Sequence, residues 1–99
     1  MLDTALGRPA AGVAVTLRDA SGAPLAERVT DADGRVAGLP VASAGVFSLS
    51  FDTAAYFAAS GRRSFYPRVE VCFEVLDPAE HHHVPLLVAP YGYSTYRGS

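Results

Sequence analysis

The stretch VFSLSFDTAAYFAASG, residues 46–61, changes its period half-way, and that change decides the fold. In the first half Phe47, Leu49 and Phe51 occupy every second position, so an extended chain turns all three to one side and the serines between them to the other. From Asp52 the alternation stops. Alanines take over, Asp52 or Thr53 can accept from the free amides of a helix start, and Gly61 can close the helix end. A half-buried strand followed at once by one short helix near residues 52–60 is expected.

Working outward, the same two-residue period recurs. Upstream, GVAVTLRD (12–19) alternates Val13, Val15 and Leu17, and the turn ASGAP separates it from a second strand in PLAERVTDADGRV (24–36). That segment runs into Asp33-Gly34, a pair suited to the positive φ of a tight turn. Downstream, FYPRVEVCFEVLD (65–77), HHHVPLLVAP (81–90) and YGYSTYRG (91–98) read as three further strands, broken at Asp77-Pro78 and Pro90-Tyr91-Gly92. Many short strands at this spacing predict an all-β, two-sheet antiparallel β-sandwich carrying one helix, with residues 1–99 as a single domain. No internal repeat or linker interrupts it.

Composition narrows the function classes. With 99 residues the chain has room for one packed core, near the size at which oligomerisation adds needed stability. Ten acidic residues against eight arginines and no lysine give a net charge of -2, which is not a general nucleic-acid surface. No apolar run is long enough for a transmembrane helix, and no charged start followed by an apolar stretch marks a signal peptide, so a cytoplasmic protein is expected. The sole cysteine, Cys72, has no internal disulfide partner. Inside the apolar run VEVCFEV it reads as a small buried hydrophobe.

Four segments, LDTALGRPAAGVAVTL (2–17), TDADGR (30–35), HHHVPLL (81–87) and the terminal YGYSTYRGS (91–99), taken in this order, resemble the 5-hydroxyisourate hydrolases of the transthyretin-like family. The resemblance spans essentially the whole chain, and its most specific part is Tyr96-Arg97-Gly98-Ser99, which sets the hydrolases apart from transthyretins. It implies a transthyretin-like (prealbumin-like) sandwich, assembled as a homotetramer with active sites in the channel between dimers. The implied reaction opens the six-membered ring of 5-hydroxyisourate to 2-oxo-4-hydroxy-4-carboxy-5-ureidoimidazoline in urate catabolism, with no metal or organic cofactor. The alternative implied by the same family is a transthyretin-like small-ligand binding protein, or an inactive relative of the hydrolases.

Hydrolysis of a cyclic acyl–nitrogen bond needs a proton acceptor for water, donors for the developing oxyanion, and groups that hold a planar anion. The family motif places its histidine immediately before Val-Pro, which is His83 here, and an imidazole of ordinary pKa about 6.5 suits proton transfer near neutrality. His81 shares a face with His83 in an alternating strand and His82 takes the other; both read as surface or packing residues, and a His-x-His pair with no third ligand is weak as a metal site. Arg35 matches the family's arginine after the turn, and its planar fork can grip two neighbouring acceptors while favouring negative charge. Tyr96 corresponds to a substrate-binding tyrosine. Arg97 and Gly98 complete the binding motif, and Ser99 brings a hydroxyl and the terminal carboxylate to the catalytic group.

One position departs from the family, which opens this region with His-Val-Leu-Asp. Here Met1-Leu2-Asp3 stands in its place, so Met1 occupies the valine position and the family's catalytic or substrate-binding histidine would fall just before it. A start codon of the GTG type read as methionine, or a true truncation, would each produce this sequence. The expectation for the chain as written is a shortened first strand that leaves an exposed sheet edge, and greatly reduced activity, since catalytic groups act as a unit.

Overall fold

The computed structural model describes residues 1–99. Its strands are β1 (Leu2–Asp3), β2 (Arg8–Pro9), β3 (Ala14–Arg18), β4 (Pro24–Val29), β5 (Gly45–Phe51), β6 (Val69–Val75), β7 (Leu86–Ala89) and β8 (Gly92–Thr95), with one helix, α1 (Thr53–Ala58), between β5 and β6. They form two four-stranded sheets, ordered β2-β1-β7-β8 and β4-β3-β5-β6. The sandwich and its short helix are therefore as the alternating pattern predicts.

The core follows that alternation. Val13, Val15 and Leu17 from the β3 region, Phe47, Leu49 and Phe51 from β5, and Leu86 and Val88 from β7 all turn inward and are buried. Two-residue periodicity places them on one face of each strand. Helix α1 closes one end of this layer. Asp52 caps it by accepting from the Ala55 amide at 3.2 Å, Gly61 leaves it at φ 68°, and Phe57, 1% exposed, plugs the core beneath.

Four details differ from expectation. The sheets are not wholly antiparallel: β1 pairs with β7 in parallel register, Leu2 opposite Leu87 and Asp3 opposite Val88. Strand β1 is short, but it lies inside its sheet between β2 and β7 and leaves no exposed edge of its own. The histidine run is not part of β7, which begins at Leu86; only His83 makes an isolated antiparallel bridge, to Gly98. Pro85 has no N–H to give a ladder, which ends regular pairing there. Finally, Cys72 is exposed. In β6 Val69, Val71 and Val75 face the core and Glu70, Cys72 and Glu74 face out, so an apolar run on this strand is still buried on one side only.

Candidate active site

Arg35 sits on a turn that the sequence specifies atom by atom. The Asp31 carboxylate accepts from the backbone amides of Asp33 at 2.9 Å and Arg35 at 3.0 Å, and the Asp31 amide donates to the Arg35 carbonyl at 2.9 Å. Gly34 takes φ 71° within this loop. A side chain there would be strained by the backbone and would also run into the Met1 carbonyl. Thr30 anchors the base of the loop: its hydroxyl donates to the Ala10 carbonyl at 2.7 Å and accepts from the Val13 amide at 2.9 Å, fully in the interior. Arg35 itself is exposed, and it takes part in none of the ion pairs of the chain. Its fork is free for a ligand.

Met1 lies against the same turn. Its amine donates to the Gly34 carbonyl at 2.6 Å and its carbonyl accepts from Ala10 at 3.0 Å. Burial, then the positive charge of Arg35, lower the pKa of this amine from its ordinary value, with Asp31 opposing them. Residues Met1, Arg35, His81, His82, His83 and Ser99 share the wall of one open cleft of about 900 Å3 between the ends of the two sheets.

His83 is fixed by the chain terminus. The Gly98 amide donates to the His83 carbonyl at 2.8 Å, and the Gly98 α-carbon lies against the imidazole, where a side chain would collide with Nδ1 and come within 2.6 Å of Cγ. Beyond β8 the chain diverges. Ser99 reaches the large cleft, whereas Tyr96 and Arg97 line a second recess of about 300 Å3 that shares Phe73, His82, His83 and Val84 with it. Arg97 approaches Glu80 at 4.0 Å, and both side chains are exposed. Thus Arg35, His83 and Ser99 line one cleft, with Gly98 against the imidazole, while Tyr96 and Arg97 line the adjoining recess that His83 also borders.

Three aspects were missed by sequence reasoning. His81 and His82 both border the cleft, because the segment before Pro85 is not an alternating strand. Met1 is itself a wall residue, whereas sequence reasoning gave a site role only to the histidine that would precede it. Asp31 organises the Arg35 turn, and the spacing D-x-D-G-R was the available signal.

This geometry can hold a planar anion with a cation on one side and an imidazole on another, and it sits on a fold found in known proteins. Residues 1–98 match the HIUase/Transthyretin family. The chain belongs to that family. It is 48% identical over 109 residues to the 5-hydroxyisourate hydrolase of Caulobacter vibrioides, covering 100% of this chain and 94% of that one. The structure of Klebsiella pneumoniae 5-hydroxyisourate hydrolase superposes with a TM-score of 0.89 at 43% identity, covering 99% of this chain and 93% of that chain. Transthyretin from Sparus aurata superposes with a TM-score of 0.87 at 35% identity, covering 98% and 90%.

Proposed function

We propose that this member of the HIUase/Transthyretin family hydrolyses 5-hydroxyisourate, with Arg35, His83 and Ser99 as the groups at the reacting bond. The observation that carries the reading is the convergence of these three residues on one cleft, in a chain 48% identical to a protein named for that activity. In the proposed step His83 accepts a proton as water adds to the ring acyl carbon, and the negative charge that develops on the acyl oxygen is met by the Arg35 guanidinium. The carbon–nitrogen bond then breaks, the departing nitrogen takes back the proton, and the ring opens to a ureido group and a carboxylic acid, which ionises to the carboxylate by releasing its proton to solvent. Water's hydroxyl ends on carbon and its proton on nitrogen, so no oxidant is consumed. Ser99 offers a hydroxyl and the terminal carboxylate to orient the water, and Tyr96, Arg97 and Gly98 contribute to binding from the far side of His83.

The same proposal includes a homotetramer with the site in a channel between dimers. Its support is exposure: Arg35, His83 and Tyr96 all lie open to solvent in the single chain, and Phe65 and Tyr91 are 68% and 72% exposed. A neighbouring copy would dry the cleft and strengthen its electrostatics. A cytoplasmic location fits the exposed thiol of Cys72, which a reducing compartment preserves.

A second reading, ligand binding without turnover, is favoured by the likeness to sea bream transthyretin in complex with thyroxine, at 35% identity and a TM-score of 0.87. Freshly generated 5-hydroxyisourate separates the two. Under the first reading the chain speeds its decay above the spontaneous rate, and Arg35→Lys or His83→Ala each lowers that gain by about 100-fold or more. Decay at the spontaneous rate with the unaltered chain would leave the binding reading standing. Unchanged rates in both variants would overturn the site assignment.

A further inference from the structure

The two halves of the cleft come from different sheets, and the short β1 is what spaces them. Arg35 follows β4 of one sheet, and His83 precedes β7 of the other. Between them lies Met1 with β1. The Met1 amine is bonded to Gly34, its carbonyl to Ala10, and Leu2 and Asp3 run parallel to Leu87 and Val88, with the Thr4 amide donating to the Val88 carbonyl at 2.9 Å. A two-residue strand at a chain end frays unless something outside the ladder holds it.

That hold is a buried polar cluster built around Asp3, whose carboxylate is 0% exposed. One oxygen accepts from the Ala5 and Leu6 amides, each at 3.1 Å. The other accepts from the Tyr56 hydroxyl at 2.7 Å and from Arg62 Nη2 at 2.8 Å. Tyr56 belongs to α1 and Arg62 to the turn after it. The Arg62 guanidinium also lies over the Phe57 ring at 4.9 Å and is steadied by Ser60 at 2.8 Å, yet its Nη1 is buried without a partner. An ion pair that buries Asp3 fully, leaves Arg62 22% exposed and carries an unmet buried donor is a poor source of stability, and the best-attested use of such pairs is to fix register. A slip of β1 by one residue along β7 would turn Asp3 to the opposite face, strand its charge, and move Met1 by roughly 3.3 Å against the Gly34 turn.

We propose that Tyr56 and Arg62 are positioning residues which, through Asp3, lock the register of β1 and thereby set where Arg35 stands relative to His83. Neither side chain touches the cleft. The proposal rests on the reading of Arg35 and His83 as the working pair, but part of its test does not.

The test uses Tyr56→Phe, which removes one hydroxyl and leaves the ion pair, and Arg62→Lys, which keeps the charge and loses the fork. Both are studied at a temperature where circular dichroism shows them folded. Amide exchange is read first. The Ala10 amide, held by Met1, should lose protection by at least about tenfold while β5–β6 amides keep theirs. Protection lost equally everywhere, or not at all, overturns the lock whatever the chain catalyses. Turnover is read second, where hydrolysis is present. Each variant should lower kcat/KM by about tenfold, as sub-ångström misplacement does, and should add nothing to Arg35→Ala. An additive loss, or full activity, would contradict positioning through Arg35. If the unaltered chain does not hydrolyse the substrate, the proposed function fails by itself, and the exchange result alone decides the lock.

Discussion

Gly98 packs against the His83 side chain, with its amide bonded to the His83 carbonyl at 2.8 Å and no room for a β-carbon beside Nδ1. The backbone of Gly98 is not in a left-handed conformation, so the need for glycine is steric and specific to this contact. Neither residue belongs to the buried core, so the contact contributes little to it. The consequence falls on the orientation of the ring.

Gly98→Ala therefore separates activity from stability. The variant should fold with nearly the melting temperature of the unaltered chain, while hydrolysis falls by about tenfold to 100-fold because the imidazole is displaced. Histidine NMR signals report the ring directly. A normal rate together with shifted His83 signals would show that the ring's position is unimportant for turnover.

Gly34→Ala should behave in the opposite way, because this glycine carries both a left-handed φ of 71° and the contact with Met1. Strain at such a position costs about 1–3 kcal/mol, which for a domain of this size lowers the melting temperature by about 4–8 °C per kcal/mol. Urea unfolding measures it. A stability loss under about 0.5 kcal/mol would show that the Asp31 loop relaxes freely and does not hold Arg35 in place.

What the sequence disclosed and what it hid divide along one physical line. Alternation exposed β3 and β5 and their inward faces, and the capping chemistry of Asp52 and Gly61 exposed the helix, because those signals are local; β6 was legible as a strand, but its apolar run hid that Cys72 faces out. Strands β1 and β2 have two residues each, too few for any period to register. The parallel pairing of β1 with β7 depends on residues more than 80 positions apart. At the site, the D-x-D-G-R turn and the glycine before Ser99 were legible as motifs, whereas the splitting of Tyr96 and Arg97 from Ser99 across His83 depends on how the chain bends after β8. Asp3, the most consequential buried polar group, carried no sequence signal beyond its place in a family motif.

Stability should depend on pH through Asp3. Burial alone would raise the pKa of its carboxyl, but hydrogen bonds from Arg62, Tyr56 and the Leu6 amide, with the charge of Arg62, outweigh burial and bring it below the ordinary 3.8. A carboxyl lowered in the folded state binds its proton more readily when unfolded, so its stabilising contribution is complete above about pH 4 and disappears as pH falls through the folded value. Urea midpoints should thus decline as pH falls below about 4, and the decline should be shallower in Asp3→Asn, which starts from lower stability. Equal slopes in both proteins would assign acid sensitivity to other carboxylates.

The last prediction concerns the space beside Met1. Its amine points at Gly34 in the cleft wall and repels Arg35, as the lowered pKa of that amine reflects after burial is counted. A chain in which Met1 is replaced by valine preceded by histidine would put a neutral amide where that charge lies and carry an imidazole into the cleft with Arg35 and His83. Binding and turnover should respond differently. If the Arg35 fork holds a planar purine analogue such as 8-azaxanthine, as proposed for the substrate, both chains should hold it alike, so its affinity should change by less than about tenfold, or about 1.4 kcal/mol. Turnover should rise by considerably more, because a second proton-transfer group acts on the transition state and not on the bound ground state. Calorimetry with 8-azaxanthine, run beside absorbance decay of 5-hydroxyisourate, measures both. Equal turnover would show that His83 and Arg35 suffice without the added imidazole, and an affinity gain larger than the rate gain would show that the histidine shapes the pocket and takes no part in proton transfer.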